Sequence, residues 1–362
     1  MSTADTLVTK IVVLATIAGL GSAAAFLVVA CGGGSASSGG ASPTLAWRAL
    51  PPAPIRVDAY LSSAWTGKKL IISGVRSGPD GTFIDSTNVA AEYDPSTRTW
   101  RRLTPGPEME NYCRRDVAWT GSEMLLWGCK QAAFDPKNNS WRMLPKAPTG
   151  EGIVAWTGHE LIGWGGGCCG DAWDGGSAYD PAASTWRTLA RTPLAPSQGA
   201  AGTWTGRELV LFVNGINPAS GRPWPARFAR AAAYDPATDT WRRITPSPAT
   251  GGAAVWDGRE VLLVGAGAEG RSALAFDPAT NHWRRLSTPP SSLPTAHAFW
   301  TGHRLLVWGG AESPRAVAYD PEIDRWSTLP RAPVLGPEQT VVWTGRQLIV
   351  WSSVAGAALT LG

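Results

Sequence analysis

The stretch YDPSTRTWRRL, residues 93–103, decides the fold, because near-copies of it return five times. They read FDPKNNSWRML (134–144), YDPAASTWRTL (179–189), YDPATDTWRRI (234–244), FDPATNHWRRL (276–286) and YDPEIDRWSTL (319–329). In all six the opening aromatic stands seven residues before the tryptophan. Asp-Pro suits a tight turn: proline pre-sets φ near −65°, and the aspartate can bond the backbone two residues on. The spacing therefore predicts a hairpin of constant loop length, with the aromatic ending one strand and the tryptophan beginning the next. Both are read as structural residues.

A second phrase interleaves with the first. Trp-Thr-Gly, once Trp-Asp-Gly, starts at Trp65, Trp119, Trp156, Trp204, Trp256, Trp300 and Trp343, and an apolar residue follows five positions later each time. Short apolar runs flanked by glycine, such as LIISG and LLVWGG, read as buried strands. Each unit thus holds four strands: one into Trp-Thr-Gly, one after it, one into Asp-Pro and one from the hairpin tryptophan. The distance from Trp-Thr-Gly to the Asp-Pro aromatic varies between 15 and 30 residues, so the loop between strands 2 and 3 carries the insertions.

Counting decides closure. There are seven Trp-Thr-Gly units and six Asp-Pro hairpins, and the last unit has room for only three strands. LAWRALPPAP (45–54), around Trp47, matches the strand that elsewhere follows the hairpin. A ring that takes its last outer strand from the N-terminal side has no open seam and hence no free sheet edge. Residues 44–362 are read as all-β, a seven-bladed β-propeller closed by an N-terminal outer strand. Of its 20 tryptophans, fourteen belong to the two repeated phrases once Trp47 is counted, and such large flat rings suit the wedges between blades.

The four-stranded units, a period of about 45 residues, and the pairing of Tyr-Asp-Pro with Trp-Arg-x-Leu resemble the kelch-type propeller, also seen in the central domain of galactose oxidase. A double glycine closing strand 2 stands at Gly165-Gly166 and Gly309-Gly310 and is replaced by Gly128-Cys129, Gly265-Ala266 and Ser352-Ser353. The copper site of the oxidases has no counterpart among His159, His282, His297 and His303, so neither a metal nor another cofactor is expected. A net charge of +4, with arginines recurring on the outer strands, reads as a solvated edge and argues against nucleic acid as a partner.

Residues 1–30 are of another kind. Twenty apolar or small residues follow Lys10, as in an export signal. LVVAC, ending at Cys31, resembles the bacterial lipobox, which implies cleavage and diacylation of Cys31; the same stretch is long enough to span a bilayer uncleaved. Residues 31–43 form a Gly/Ser-rich flexible linker. Both readings place the propeller outside the cytoplasm, anchored to the outer face of the bacterial cytoplasmic membrane or envelope. A monomer is expected.

Exported cysteines are expected to be oxidised. Cys113 and Cys129 flank the second Trp-Thr-Gly turn symmetrically and are expected to face each other at disulfide distance. Cys168 and Cys169 follow strand 2 of blade 3. They form a vicinal bridge or pair with the others, since four cysteines allow three connectivities.

Function is expected on the face carrying the strand 2–3 loops and the channel mouth. Blade 3 places Trp173 there and blade 4 places Trp224 in the longest insertion; exposed aromatics suit sugars or peptides, while rings that merely pack the loops down are the bland reading. Strand 1 lines the channel, and alternation puts the residues three and five before each Trp on one side. With that side facing inward, Arg114, Asp116, Glu151, His297 and Glu338 ring the mouth as a ligand site, an acid–base site, or the polar lining of a water-filled pore. The leading expectation is a membrane-tethered, non-catalytic binding module for protein or glycan. The alternative is an enzyme acting on a sugar at the channel mouth, of mutarotase or epimerase type.

Overall fold

The computed structural model describes residues 45–78, 87–107, 116–128, 130–149, 152–167, 170–294, 297–309, 315–333, 339–353 and 355–361. These residues form seven four-stranded antiparallel sheets, the blades of a propeller. Blade 1 comprises Ala59–Trp65, Leu70–Arg76, Thr87–Asp94 and Thr99–Arg102. Five further meanders follow, and each first strand ends at the tryptophan of Trp-Thr-Gly or Trp-Asp-Gly: Trp119, Trp156, Trp204, Trp256 and Trp300. Blade 7 joins Gln339–Trp343, Gln347–Ser352 and Ala355–Thr360 to the early strand Trp47–Ala49. Trp47 pairs with Leu359 as Trp100 pairs with Tyr93, so the N-terminal strand occupies the outer position that the count of motifs assigned to it.

The two turns behave as their chemistry dictates. In all seven inner hairpins the residue after the tryptophan donates its amide to the carbonyl three residues on, from Thr66 to Lys69 through Thr344 to Gln347. The glycine that follows has φ between 84° and 101°, a left-handed conformation that carries no penalty without a Cβ. In the six Asp-Pro hairpins the aspartate accepts the amide two residues on, at 2.8–3.1 Å. A further regularity sits four residues after each aspartate: Arg98, Asn139, Ser184, Asp239, Asn281 and Asp324 all have positive φ. Four of these are Asn or Asp, the non-glycine residues that tolerate this region best.

Those same side chains reach the preceding blade. Asn139 and Asn281 accept the amides of Thr104 and Thr245, while Asp239 and Asp324 accept those of Ala190 and Ser287. The outer-strand tryptophan does likewise in all seven blades, donating Nε1–H to a carbonyl just past the preceding blade's outer strand at 2.7–3.0 Å. Trp47 binds Pro330 and Trp100 binds Pro51, which carries the series around the closing blade without interruption.

Packing follows the same geometry. A buried cluster lies between every successive pair of blades, including Tyr93 and Ile72 of blade 1 with Ile349 and Trp351 of blade 7. Each hairpin aromatic meets its own tryptophan at 4.8–5.0 Å. On the other side, a strand 2 ring of the previous blade contacts that tryptophan: Trp127 with Trp186, Trp164 with Trp241, Phe212 with Trp283, Trp308 with Trp47 and Trp351 with Trp100. Gly163 shows how tight the wedge is, since a Cβ there would sit 2.4 Å from the Trp127 ring.

The arginine next to the outer-strand tryptophan is ion-paired in blades 1 to 5. Arg142, Arg187, Arg242 and Arg284 bind Glu123, Glu160, Glu208 and Glu260 at 2.6–2.8 Å across a strand 3 alanine. Where the next blade has tyrosine, the guanidinium also meets its hydroxyl, as Arg142 with Tyr179 and Arg187 with Tyr234. Blade 1 shifts the carboxylate to strand 3, where buried Glu92 takes Lys69 and Arg101 together.

Candidate functional site

The inner strands build the channel. A cavity of about 290 Å³ among them is lined by Ile153, Ala201, Ala253, His297, Phe299 and Val341. Four residues from the row three positions before the tryptophan line it, together with strand neighbours of the opposite register such as Ala200, Gly202, Ala254 and Ala298. The rest of that row differs: Ser62 and Thr340 are buried, and Ser63 is hydrogen-bonded to Thr340 across the blade 7–blade 1 junction. Asp116 is half-buried in the inner strand of blade 2, opposite Trp127 in register. The described lining is thus mostly small and apolar, with His297 its titratable group. His297 is open to the channel yet surrounded by protein, and desolvation lowers its pKa from the usual histidine value, which favours the neutral imidazole.

Arg114, Glu151 and Glu338 lie outside the described residues, as do Cys31, Cys113, Cys129, Cys168 and Cys169. Of the expected ring, the described residues include Asp116 and His297, which occupy different blades. Tyr60, in the row five positions before the tryptophan, has φ of 54° beside a β-bulge in the first strand of blade 1.

The loop face is organised around blades 3 and 4. Trp173 donates its amide to Gly166 and accepts that of Ser197, both at 3.0 Å, so its backbone is held while 41% of its surface stays exposed. The glycines make this possible: a Cβ on Gly167 would lie 2.5 Å from the Asp171 carbonyl. Trp224 is anchored differently. Its Nε1–H bonds the Pro196 carbonyl at 3.1 Å, its ring meets Phe228 edge-on at 5.9 Å, and it packs on the blade 3–blade 4 core. The Arg227 guanidinium covers the other aromatic at 4.8 Å from the Phe228 centroid.

These pieces form one surface. Gln198 donates to the Asp171 carbonyl at 2.8 Å, Trp224 bonds Pro196, and Gly170 of blade 3 stands against Ala219 of the blade 4 insertion. The insertion also encloses a cleft of about 520 Å³ lined by Asn214, Ile216, Trp224, Phe228, Arg230 and Arg243. Trp173 and Trp224 are thereby brought onto one contiguous patch, the former as an exposed ring and the latter as its support.

The opposite face, bearing the turns, is less uniform than its repeated sequence suggests. A cleft of about 670 Å³ lies between the turns of blades 1 and 2, with Lys68, Lys69, Arg101 and Lys137 facing Glu92, Glu123 and Asp135. A second cleft lies between blades 6 and 7. Both occur where the in-blade Glu–Arg pattern is broken, a departure that is visible in the sequence once the pattern is known.

No family model matches the chain. A protein of Arabidopsis thaliana named "Putative F-box/kelch-repeat protein" is 23% identical over 215 residues, covering 54% of this chain and 57% of that protein. The chain thus spans little more than half the length of this relative. Among solved structures, oligogalacturonate lyase in complex with manganese superposes with a TM-score of 0.58 at 13% identity, covering 88% of this chain and 97% of the lyase. At that identity the likeness is one of fold.

Proposed function

We propose that this kelch-type propeller acts as a binding module for an extracytoplasmic protein or glycan, held near the membrane by an acylated Cys31. The observation that carries the reading is the joint surface of blades 3 and 4. A closed ring presents there an exposed side chain, Trp173, on a hydrogen-bonded backbone, beside the folded insertion of blade 4. Such preorganisation limits the ordering cost of binding, and aromatic anchors of this kind dominate interface energetics. Kelch-repeat relationship supports an interaction role, and Arg114, Glu151 and Glu338 are assigned to the same face by spacing.

A glycan array and a cell-envelope pull-down with the full chain test this reading. For any ligand found, Trp173→Ala should weaken binding by about 1–3 kcal/mol without lowering the melting temperature. Trp224→Ala should weaken it together with a loss of stability, because that ring packs the insertion. Binding unaffected by Trp173→Ala would move the site elsewhere.

A second reading rests on His297, whose imidazole lines the cavity among the inner strands and can exchange a proton there. Turnover of a bound sugar that collapses in His297→Gln would favour the enzyme over the binding module.

A further inference from the structure

Blade 6 breaks the charge pattern its neighbours keep. In blades 2 to 5 a glutamate ahead of strand 2 reaches over a strand 3 alanine to a strand 4 arginine, as Glu160 reaches over Ala178 to Arg187. Blade 6 has Arg304 at the glutamate's position and Ser327 at the arginine's, across the equivalent Ala318. The side chain that covers this face elsewhere is absent, and Ser327 Oγ turns back to the Ala318 carbonyl at 3.4 Å. Blade 7 adds to the vacancy, because Leu359 replaces the tyrosine whose hydroxyl meets the preceding blade's arginine in blades 3 and 4.

The result is a cavity of about 410 Å³ between blades 6 and 7. Leu45, Leu306, Leu329 and Trp343 supply apolar wall, and Arg304 and Arg346 supply positive charge. Among the described residues no carboxylate lines it. Arg304 has one long contact, 3.4 Å, to Asp320 outside the lining, and its side chain is 53% exposed. Arg346 makes no ion pair among the described residues; its amide bonds Thr344 Oγ1.

We propose that this cleft binds a small organic carboxylate with an apolar body. The volume lies in the range of small-molecule pockets, which combine apolar walls with a few convergent polar groups. A carboxylate matches the guanidinium fork geometrically and electrostatically. It would supply at blade 6 the negative charge that blades 2 to 5 carry as glutamate at the position of Arg304, while its apolar body covers the leucines and Trp343. The site lies among the turns, apart from the loop-face surface of blades 3 and 4, and stands independently of the function proposed there.

Calorimetric titration of the full chain with naphthalene-2-carboxylate, at low salt, tests the assignment, with naphthalene-2-methanol as the neutral control. The carboxylate should bind saturably and the alcohol at least tenfold more weakly. Arg346→Gln should weaken the carboxylate about tenfold. The double variant Arg304→Glu with Ser327→Arg rebuilds the pair found in blades 2 to 5, so it should lose binding while melting no lower than the parent. No saturable binding, equal binding of the alcohol, an unchanged Arg346→Gln, or a double variant that still binds would each overturn the proposal.

Discussion

Trp47 shows how much one residue does in this molecule. It pairs across the strand with Leu359, meets the Trp308 ring at 5.9 Å, and donates Nε1–H to Pro330 at 2.7 Å. Replacing it by phenylalanine keeps an aromatic ring and removes the donor, leaving the Pro330 carbonyl to water. We expect Trp47→Phe to cost about 1–2 kcal/mol, the worth of a half-buried hydrogen bond plus lost ring contact. Denaturant titration measures it, and an unchanged midpoint would show that the staple contributes nothing. Cys31 is the second residue with a separable role. Metabolic labelling with a fatty-acid probe should tag the wild-type chain and spare Cys31→Ala; equal labelling of both, or of neither, removes the acyl anchor.

At the scale of elements, the outer strand of blade 7 is the informative one. It is only Trp47–Ala49, yet Leu50 extends its ladder by an amide bond to Gly356 at 2.8 Å, and Arg98 of blade 1 binds the Ala49 carbonyl. Ile55 and Val57, which follow it, are buried against blade 7 and blade 1. Deleting residues 45–54 removes the strand, exposes the Ala355–Thr360 edge and breaks the Trp100–Pro51 bond. A free strand edge invites pairing between chains. The deleted protein should therefore melt well below the parent and form oligomers on size-exclusion chromatography. A monomer as stable as the parent would mean that the ring does not depend on this closure.

The whole molecule carries its electrostatics in a repeated pattern, and this sets its pH limits. Glu92 is raised by burial, but the hydrogen bonds from Arg101 and Lys69 outweigh this and hold it below the usual carboxylate range. Asp324 is lowered by the Ser287 amide and the Tyr319 hydroxyl, and Asp94 by Ser96. Groups with depressed native pKa stabilise the fold above their unfolded pKa, and that stability is lost as pH falls through the native value. Tyr319 has the opposite sign: burial and its bond to Asp324 push it up to about 12, so its contribution is present below about pH 10 and lost as pH rises through the native value. The melting temperature should be flat from about pH 5 to 9 and fall on both sides. Arg101→Gln, which lifts the depression of Glu92, should flatten the acid limb. An acid limb of unchanged steepness in that variant would count against the role given to Glu92.

The sequence by itself determined the ring. Seven Trp-Thr-Gly turns, six Asp-Pro hairpins and a stray Trp47 strand specify blade number, strand order and closure, because each depends on chemistry local to a few residues: a glycine with positive φ, an aspartate capping its own turn, an alternating apolar run. Counting back along strand 1 also pointed to His297, which lines a cavity among the inner strands, whereas Trp173 sits in a loop that strand register does not reach. Other features depend on residues about forty positions apart meeting across a blade boundary. Only the tertiary structure showed that each outer tryptophan binds the preceding blade, that Trp224 supports rather than displays, and that five of the outer-strand arginines pair with carboxylates of their own blade. It also decided the cleft at Arg304 and Ser327. A lost side chain becomes a cavity only when its neighbours in space, here Leu45, Trp343 and Arg346 of another blade, do not fill the volume, and sequence spacing carries no information about that.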